Sequence, residues 1–226
     1  MVLSPRLALV YQLCGDTRRI IDVGCDHAQL AICLAESGAF VFASDVKPGP
    51  LERAEAAVAA SGRQGRIKTV LCDGLSAFSE QDADTIVIAG LGGETIMDIL
   101  AKSPWAFSKT LVLQPQSRAD KLRRFLFQNG CGITQERLAR EQDRIYSALS
   151  AARGGAQDLS HNHWLFSESM KGDRLFPQYI KKLLKTYRAA CAARVRGGHA
   201  PGRFGEIVSM LMEMQVKGAM QCHLIR

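Results

Sequence analysis

The stretch Arg19-Ile20-Ile21-Asp22-Val23-Gly24-Cys25-Asp26-His27-Ala28 decides the fold. Its first half is short, branched and apolar, which predicts a buried strand over 19–23. The glycine and polar residues after it predict a turn, and Ala28 to Ser37, closed by Gly38, reads as a helix. The same alternation continues downstream: strand 40–44 and helix 51–61, then strand 67–71, strand 85–89 and helix 94–102, strand 110–113 and helix 118–129. Upstream, Ser4-Pro5 starts a short helix over 6–14. Strands alternating with helices mean a mostly parallel, doubly wound sheet.

Residues 133–139 and 144–152 follow one another without a helix between them, which predicts an antiparallel pair at the sheet edge. That ending is characteristic of the Rossmann-like class I methyltransferase sheet, an α/β fold, rather than of the dinucleotide-binding sheet. Arg153-Gly154-Gly155-Ala156 marks a boundary between a domain of 1–153 and a second of 157–226. In the second, Leu175, Tyr179, Leu183, Leu184 and Tyr187 recur at helical spacing, as do Ile207, Val208, Leu211 and Met214 after a break at Gly197–Gly202. This predicts a C-terminal α-helical hairpin.

The 226 residues are 47% hydrophobic with a formal net charge of +7, an ordinary soluble composition that excludes collagen-like, disordered and disulfide-scaffold classes. No secretory leader and no membrane span is expected. The seven cysteines are odd in number and lack metal-ligand spacing, so they are expected as reduced, mostly buried thiols of a cytoplasmic protein without a metal. Charge is unevenly spread: residues 1–150 hold 17 basic and 17 acidic side chains, residues 151–226 hold 12 and 5. A basic segment on a neutral body suits a polyanion, most simply a nucleic acid. A solvated helix face is the alternative.

Ligands of open α/β sheets bind beyond the carboxyl ends of the strands. The first end keeps only Gly24 of the three glycines a dinucleotide turn requires, and no phosphate-binding loop occurs anywhere. Asp22 and Asp26 would repel a pyrophosphate but attract a sulfonium and an α-ammonium, which points to S-adenosylmethionine. Asp45 ends the second strand, where an acid takes ribose hydroxyls, and Cys72-Asp73-Gly74 ends the third, where a carboxylate accepts from an adenine amino group. Plainer readings stand beside these: Asp26 with Gln29 as a capping box, Asp45 capping a turn before Lys47, and Asp73-Gly74 as a turn dipeptide. The fourth end, Ala89-Gly90-Leu91-Gly92-Gly93, lacks the Asp/Asn-Pro-Pro-aromatic turn of exocyclic-amine methylation. Its glycines leave bare backbone, with helix-start N–H groups for a flat group to approach, unless they serve tight strand–helix packing.

Several stretches together resemble the bacterial tRNA (adenine(22)-N(1))-methyltransferases: Leu3–Leu7, Asp22–Leu30, Asp45–Leu51, Asp73–Leu75, Ile88–Gly93, Leu113–Pro115, and Asn129-Gly130 followed by Glu136. The resemblance departs at Leu91, where that family usually has Met, and at Cys25, where Ser is common. It implies S-adenosyl-L-methionine held by Asp22, Gly24, Cys25, Asp26, Asp45, Val46, Asp73, Gly74, Ala89 and Gly90. Asp26 and His27 become the catalytic candidates beside the target base, with Arg6, Gly92, Gly93 and Gln114 on the substrate side. Lys181, Lys182, Lys185 and Arg188 of the hairpin, with Arg194 and Arg196, would grip tRNA phosphates. The implied enzyme methylates N1 of adenosine 22; for the oligomeric state, which the sequence leaves open, a monomer is favoured. Two rivals remain at this point: a class I methyltransferase of another RNA or a small molecule, with the hairpin as lid or dimer contact, and a non-enzymatic RNA-binding protein.

Overall fold

The computed structural model describes residues 2–155 and 164–223. They form two compact units, Met1–Lys171 and Gly172–Arg226. In the first, helix α1 (Pro5–Cys14) opens the chain, with the Ser4 hydroxyl accepting from the Leu7 N–H at 3.4 Å and Pro5 in the first helical turn. Strand β1 (Arg19–Val23), helix α2 (Gln29–Glu36), strand β2 (Phe40–Asp45), helix α3 (Pro48–Ser61) and strand β3 (Ile67–Leu71) follow. Next come strand β4 (Thr85–Leu91), helix α4 (Gly93–Lys102), strand β5 (Thr110–Pro115), helix α5 (Ala119–Gln128), and strands β6 (Cys131–Glu141) and β7 (Arg144–Arg153).

The seven strands lie in the order β3-β2-β1-β4-β5-β7-β6. The first five are parallel, and β7 runs antiparallel to both β5 and β6. The expected edge pair is therefore present, inserted so that β7 lies inside and β6 forms the edge. Alternation along each strand divides the apolar side chains between two cores. Ile20, Val41, Val87 and Val112 join the core built with α1, α2 and α3, whereas Ile21, Ile88, Leu111 and Leu113 join the one built with α4 and α5. Both faces of the central strands are thus covered, which is why they read as continuous apolar runs.

Several boundaries differ from the sequence expectation by a few residues, three of them for a local backbone reason. Helix α3 starts at Pro48 rather than 51, because the first turn of a helix needs no partners for its N–H groups and so tolerates both Pro48 and Pro50. Strand β4 runs on to Leu91 through a register shift between Ala89 and Leu91, with Gly90 at φ 81°. Helix α2 starts at Gln29, since Asp26 and Ala28 both adopt left-handed backbone, φ 44° and 52°. The free thiols of Cys14, Cys25 and Cys131 are buried, and those of Cys33, Cys72 and Cys191 partly so.

The first unit extends beyond β7 through residues 164–171, fastened by a buried ion pair. Arg123 of α5 and Glu136 of β6, 2% and 0% exposed, bond at 2.6 Å, Nη2 to Oε1. The Arg123 Nη1 also donates to the Trp164 carbonyl at 2.9 Å, and Glu136 Oε2 accepts from the Ser167 N–H at 3.2 Å. The sequence boundary expected at 153–157 falls on Gly154-Gly155 and on residues outside those described. In the second unit, helix α6 (Phe176–Arg196) and helix α7 (Arg203–His223) form the expected hairpin. Arg194 Nε closes the turn on the Ala200 carbonyl at 2.8 Å, and the Tyr187 and Phe204 rings lie 6.2 Å apart.

Candidate active site

A cleft of about 810 Å³ opens beyond the carboxyl ends of β1, β2, β3 and β4. It is lined by all ten residues assigned to cofactor binding (Asp22, Gly24, Cys25, Asp26, Asp45, Val46, Asp73, Gly74, Ala89 and Gly90), and also by His27 and Arg6. Gly92, Gly93 and Gln114 lie outside the lining. The basic residues of α6 belong to the other unit.

The turn after β1 is pulled against β2, because the Gly24 and Cys25 N–H groups both donate to the Ser44 carbonyl, at 2.8 and 3.0 Å. This presents Asp22 from below the turn. Its residue is 3% exposed and its carboxyl has no hydrogen bond among the described residues, so burial pushes it up to about 7. A desolvated carboxyl without a partner at the edge of a cleft is a ready counter-charge for a bound cation. The same burial, with Asp22 nearby, raises the neighbouring Cys25 thiol far above its ordinary value and leaves it inert.

Asp26 does not cap α2: Ala28 stands at the N-cap, and the helix starts at Gln29 without any side-chain cap. Its carboxylate instead accepts from Arg53 Nη2 at 3.1 Å, with His27 Nε2 at 3.7 Å. Held in left-handed backbone, the Asp26-His27-Ala28 turn faces both side chains outward over the cleft mouth, a strained arrangement of the kind concentrated at functional sites. Asp45 does cap its turn, accepting from the Lys47 N–H at 3.0 Å while still lining the cleft. Asp73 pairs with Lys102 at 3.3 Å, an exposed contact of little energetic weight.

The glycine segment is less bare than its sequence suggests. The Gly93 N–H donates to the Ser117 carbonyl at 3.0 Å, and a Cβ on Gly93 would lie 2.6 Å from that oxygen, so this glycine serves close packing of the α4 start against the turn between β5 and α5. The Gly90 N–H donates to Gln114 Oε1 at 3.2 Å. Neither N–H is left for a ligand. Residues that sequence reasoning missed are Thr95, Asp98, Ile99 and Lys102 of α4, all lining the cleft. Their spacing puts them on one helix face, and that periodicity behind the fourth strand end was the available signal.

Acids outnumber cations around the cleft: Asp22, Asp26, Asp45, Asp73, Asp98 and Glu141 against Arg6, Lys47 and Lys102. Such a lining favours a cationic ligand over a phosphate-bearing one. Doubly wound sheet, antiparallel β7 and acidic strand ends together define a class I methyltransferase, and residues 3–149 match the family described as methyltransferase domain. A Bacillus subtilis tRNA (adenine(22)-N(1))-methyltransferase is 30% identical over 172 residues, 74% of this chain and 72% of that protein. The chain belongs to the tRNA (adenine(22)-N(1))-methyltransferase family. A Streptococcus pneumoniae protein solved in complex with S-adenosyl-L-methionine is 30% identical with TM-score 0.83, over 95% of this chain and 100% of that one. A Streptococcus agalactiae protein of the NADB-Rossmann superfamily is 31% identical with TM-score 0.85, over 95% and 98%.

Proposed function

We propose that this chain uses S-adenosyl-L-methionine to methylate N1 of adenosine 22 in tRNA. The observation that carries the reading is the acidic cleft at four successive strand ends, with the unpartnered Asp22 carboxyl at its base, in a chain of this family. S-adenosylmethionine supplies a methyl group on a sulfonium, and the residues fit it: Asp22 and Gly24 for its methionine part, Asp45 for the ribose, Asp73 for the adenine. Cys25, Val46, Gly74, Ala89 and Gly90 complete the walls.

Neutral adenine N1 carries an in-plane lone pair and attacks the methyl directly, so the protein's main task is in-line positioning. No general base is strictly required for that attack. Transfer moves a positive charge onto the base, and Asp26, at the mouth beside His27, stabilises it there. N1 lies on the Watson–Crick edge, so the nucleotide must be unpaired or flipped out to enter. Helix α6 carries Lys181, Lys182, Lys185, Arg188, Arg194 and Arg196 and no acidic residue, a composition suited to holding phosphates of a folded RNA. Among the described residues no helix is long and apolar enough to cross a membrane. The reading places a monomer in the cytoplasm, where free tRNA is met.

The test is methyl transfer from labelled S-adenosylmethionine to unmodified tRNA, with mass-spectrometric identification of the nucleoside. 1-Methyladenosine that disappears when position 22 is guanosine supports the reading. Cofactor binding without label in any tRNA overturns it in favour of another methyl acceptor.

A further inference from the structure

Gln114, at the end of β5, is fully buried, and both the oxygen and the nitrogen of its side-chain amide are hydrogen-bonded. Oε1 accepts from Arg6 Nη1 at 2.9 Å and from the Gly90 N–H at 3.2 Å, while Nε2 donates to the Pro115 carbonyl at 3.1 Å. One oxygen therefore ties the first helix to the bulge of β4. Arg6 is restrained from other directions too: Glu141 Oε2 lies 3.9 Å from its Nε, and the Tyr146 ring centroid lies 5.9 Å from its Cζ. The guanidinium remains at the cleft wall beside Gly90, where a Cβ would sit 3.4 Å from Nη1. A neutral acceptor suits this place: it orients the guanidinium without cancelling its charge.

We propose that Gln114 is a positioning residue for the methyl acceptor: it never touches the nucleotide, but aims Arg6 and fixes the Gly90 peptide, the two walls between which the base is aligned. The inference rests on the reading of the chain as a tRNA methyltransferase. Alignment rather than docking is at stake, so its signature is in kcat.

The experiment is steady-state kinetics of the full chain on unmodified tRNA for wild type, Gln114→Met, Gln114→Glu, Arg6→Ala and the double variant Arg6→Ala/Gln114→Met, with S-adenosylmethionine affinity and melting temperature as controls. Gln114→Met is expected to lower kcat about tenfold, with KM for tRNA and cofactor affinity within about twofold of wild type. In the Arg6→Ala background it is expected to cost clearly less, because only the Gly90 contact then remains to be lost, and Gln114→Glu, which keeps the accepting oxygen but neutralises the guanidinium and loses the donor to the Pro115 carbonyl, is expected to lower kcat as well. An equal fall in both backgrounds, or a wild-type rate in Gln114→Glu, overturns the proposal while leaving the tRNA reading intact. If the Met variant does not bind cofactor, the cycle is run with Gln114→Asn, one methylene too short to reach both donors. A wild-type chain that forms no 1-methyladenosine overturns the tRNA reading, and this inference with it.

Discussion

Burial holds the Asp22 carboxyl near 7, whereas in the unfolded chain it titrates at about 4. Between those values the folded chain binds the extra proton, so this group's contribution makes stability fall as pH rises through that window. A bound cation reverses the preference by favouring the carboxylate. Cofactor affinity is therefore expected to weaken about tenfold between pH 8 and pH 6, with proton release on binding near pH 7, measured by calorimetry in buffers of different ionisation enthalpy. Asp22→Asn should melt higher than wild type at pH 8 yet bind S-adenosylmethionine less tightly, a trade expected of a functional group kept at a cost to stability. For Asp26, substitution by asparagine should lower kcat by more than it lowers cofactor affinity; unchanged turnover in single-turnover assays with cofactor bound would remove it from the reaction. The acids at 22, 45 and 73 were legible because strand ends can be read from sequence and charge at a shared face is informative. The left-handed backbone at Asp26 and Ala28 was not legible, since neither is glycine and the turn is held by bonds made only in the fold, from Gly24 and Cys25 to Ser44 and from Ala28 to Cys25.

Strands β1 and β3 have the boundaries their sequences predict, because each is a short apolar run between turn residues. Where the expectation missed, the deciding partner lay elsewhere in the chain. Gly93 looked like open backbone, and its packing against Ser117 becomes visible only once β5 is placed beside β4. Gly93→Ala is expected to destabilise by about 1–3 kcal/mol in urea unfolding, as overpacking does, because the obstructing atom is backbone. Arg123 and Glu136 were equally opaque: an amphipathic helix shows Arg123 as one more surface charge, yet it is almost wholly buried. Glu136→Gln strands that guanidinium in the interior and should cost about 3–5 kcal/mol. Limited proteolysis should then cut within residues 164–170, whose bonds to the pair loosen with it. Replacing both residues by methionine should be milder than replacing either alone.

Charge is divided between the two units in a way that separates their tasks. The cleft of the first is acidic where a cation belongs, and α6 of the second carries lysines and arginines and no aspartate or glutamate. Substituting Lys181, Lys185 and Arg188 by alanine is expected to raise KM for tRNA without changing cofactor affinity. Each phosphate contact removed should lower the slope of log affinity against log salt by about 0.7–0.9, measured by fluorescence anisotropy over a salt series. The uneven charge of the chain was legible at once, and so was the helical hairpin. The extent of the first unit was not, because residues 164–171 carry no strand or long-helix pattern and are retained by Arg123 and Glu136. That pair also constrains descent. A lineage that loses one partner passes through a poorly folded ancestor before it can lose the other, so the two positions behave as a single inherited character, kept together or exchanged together.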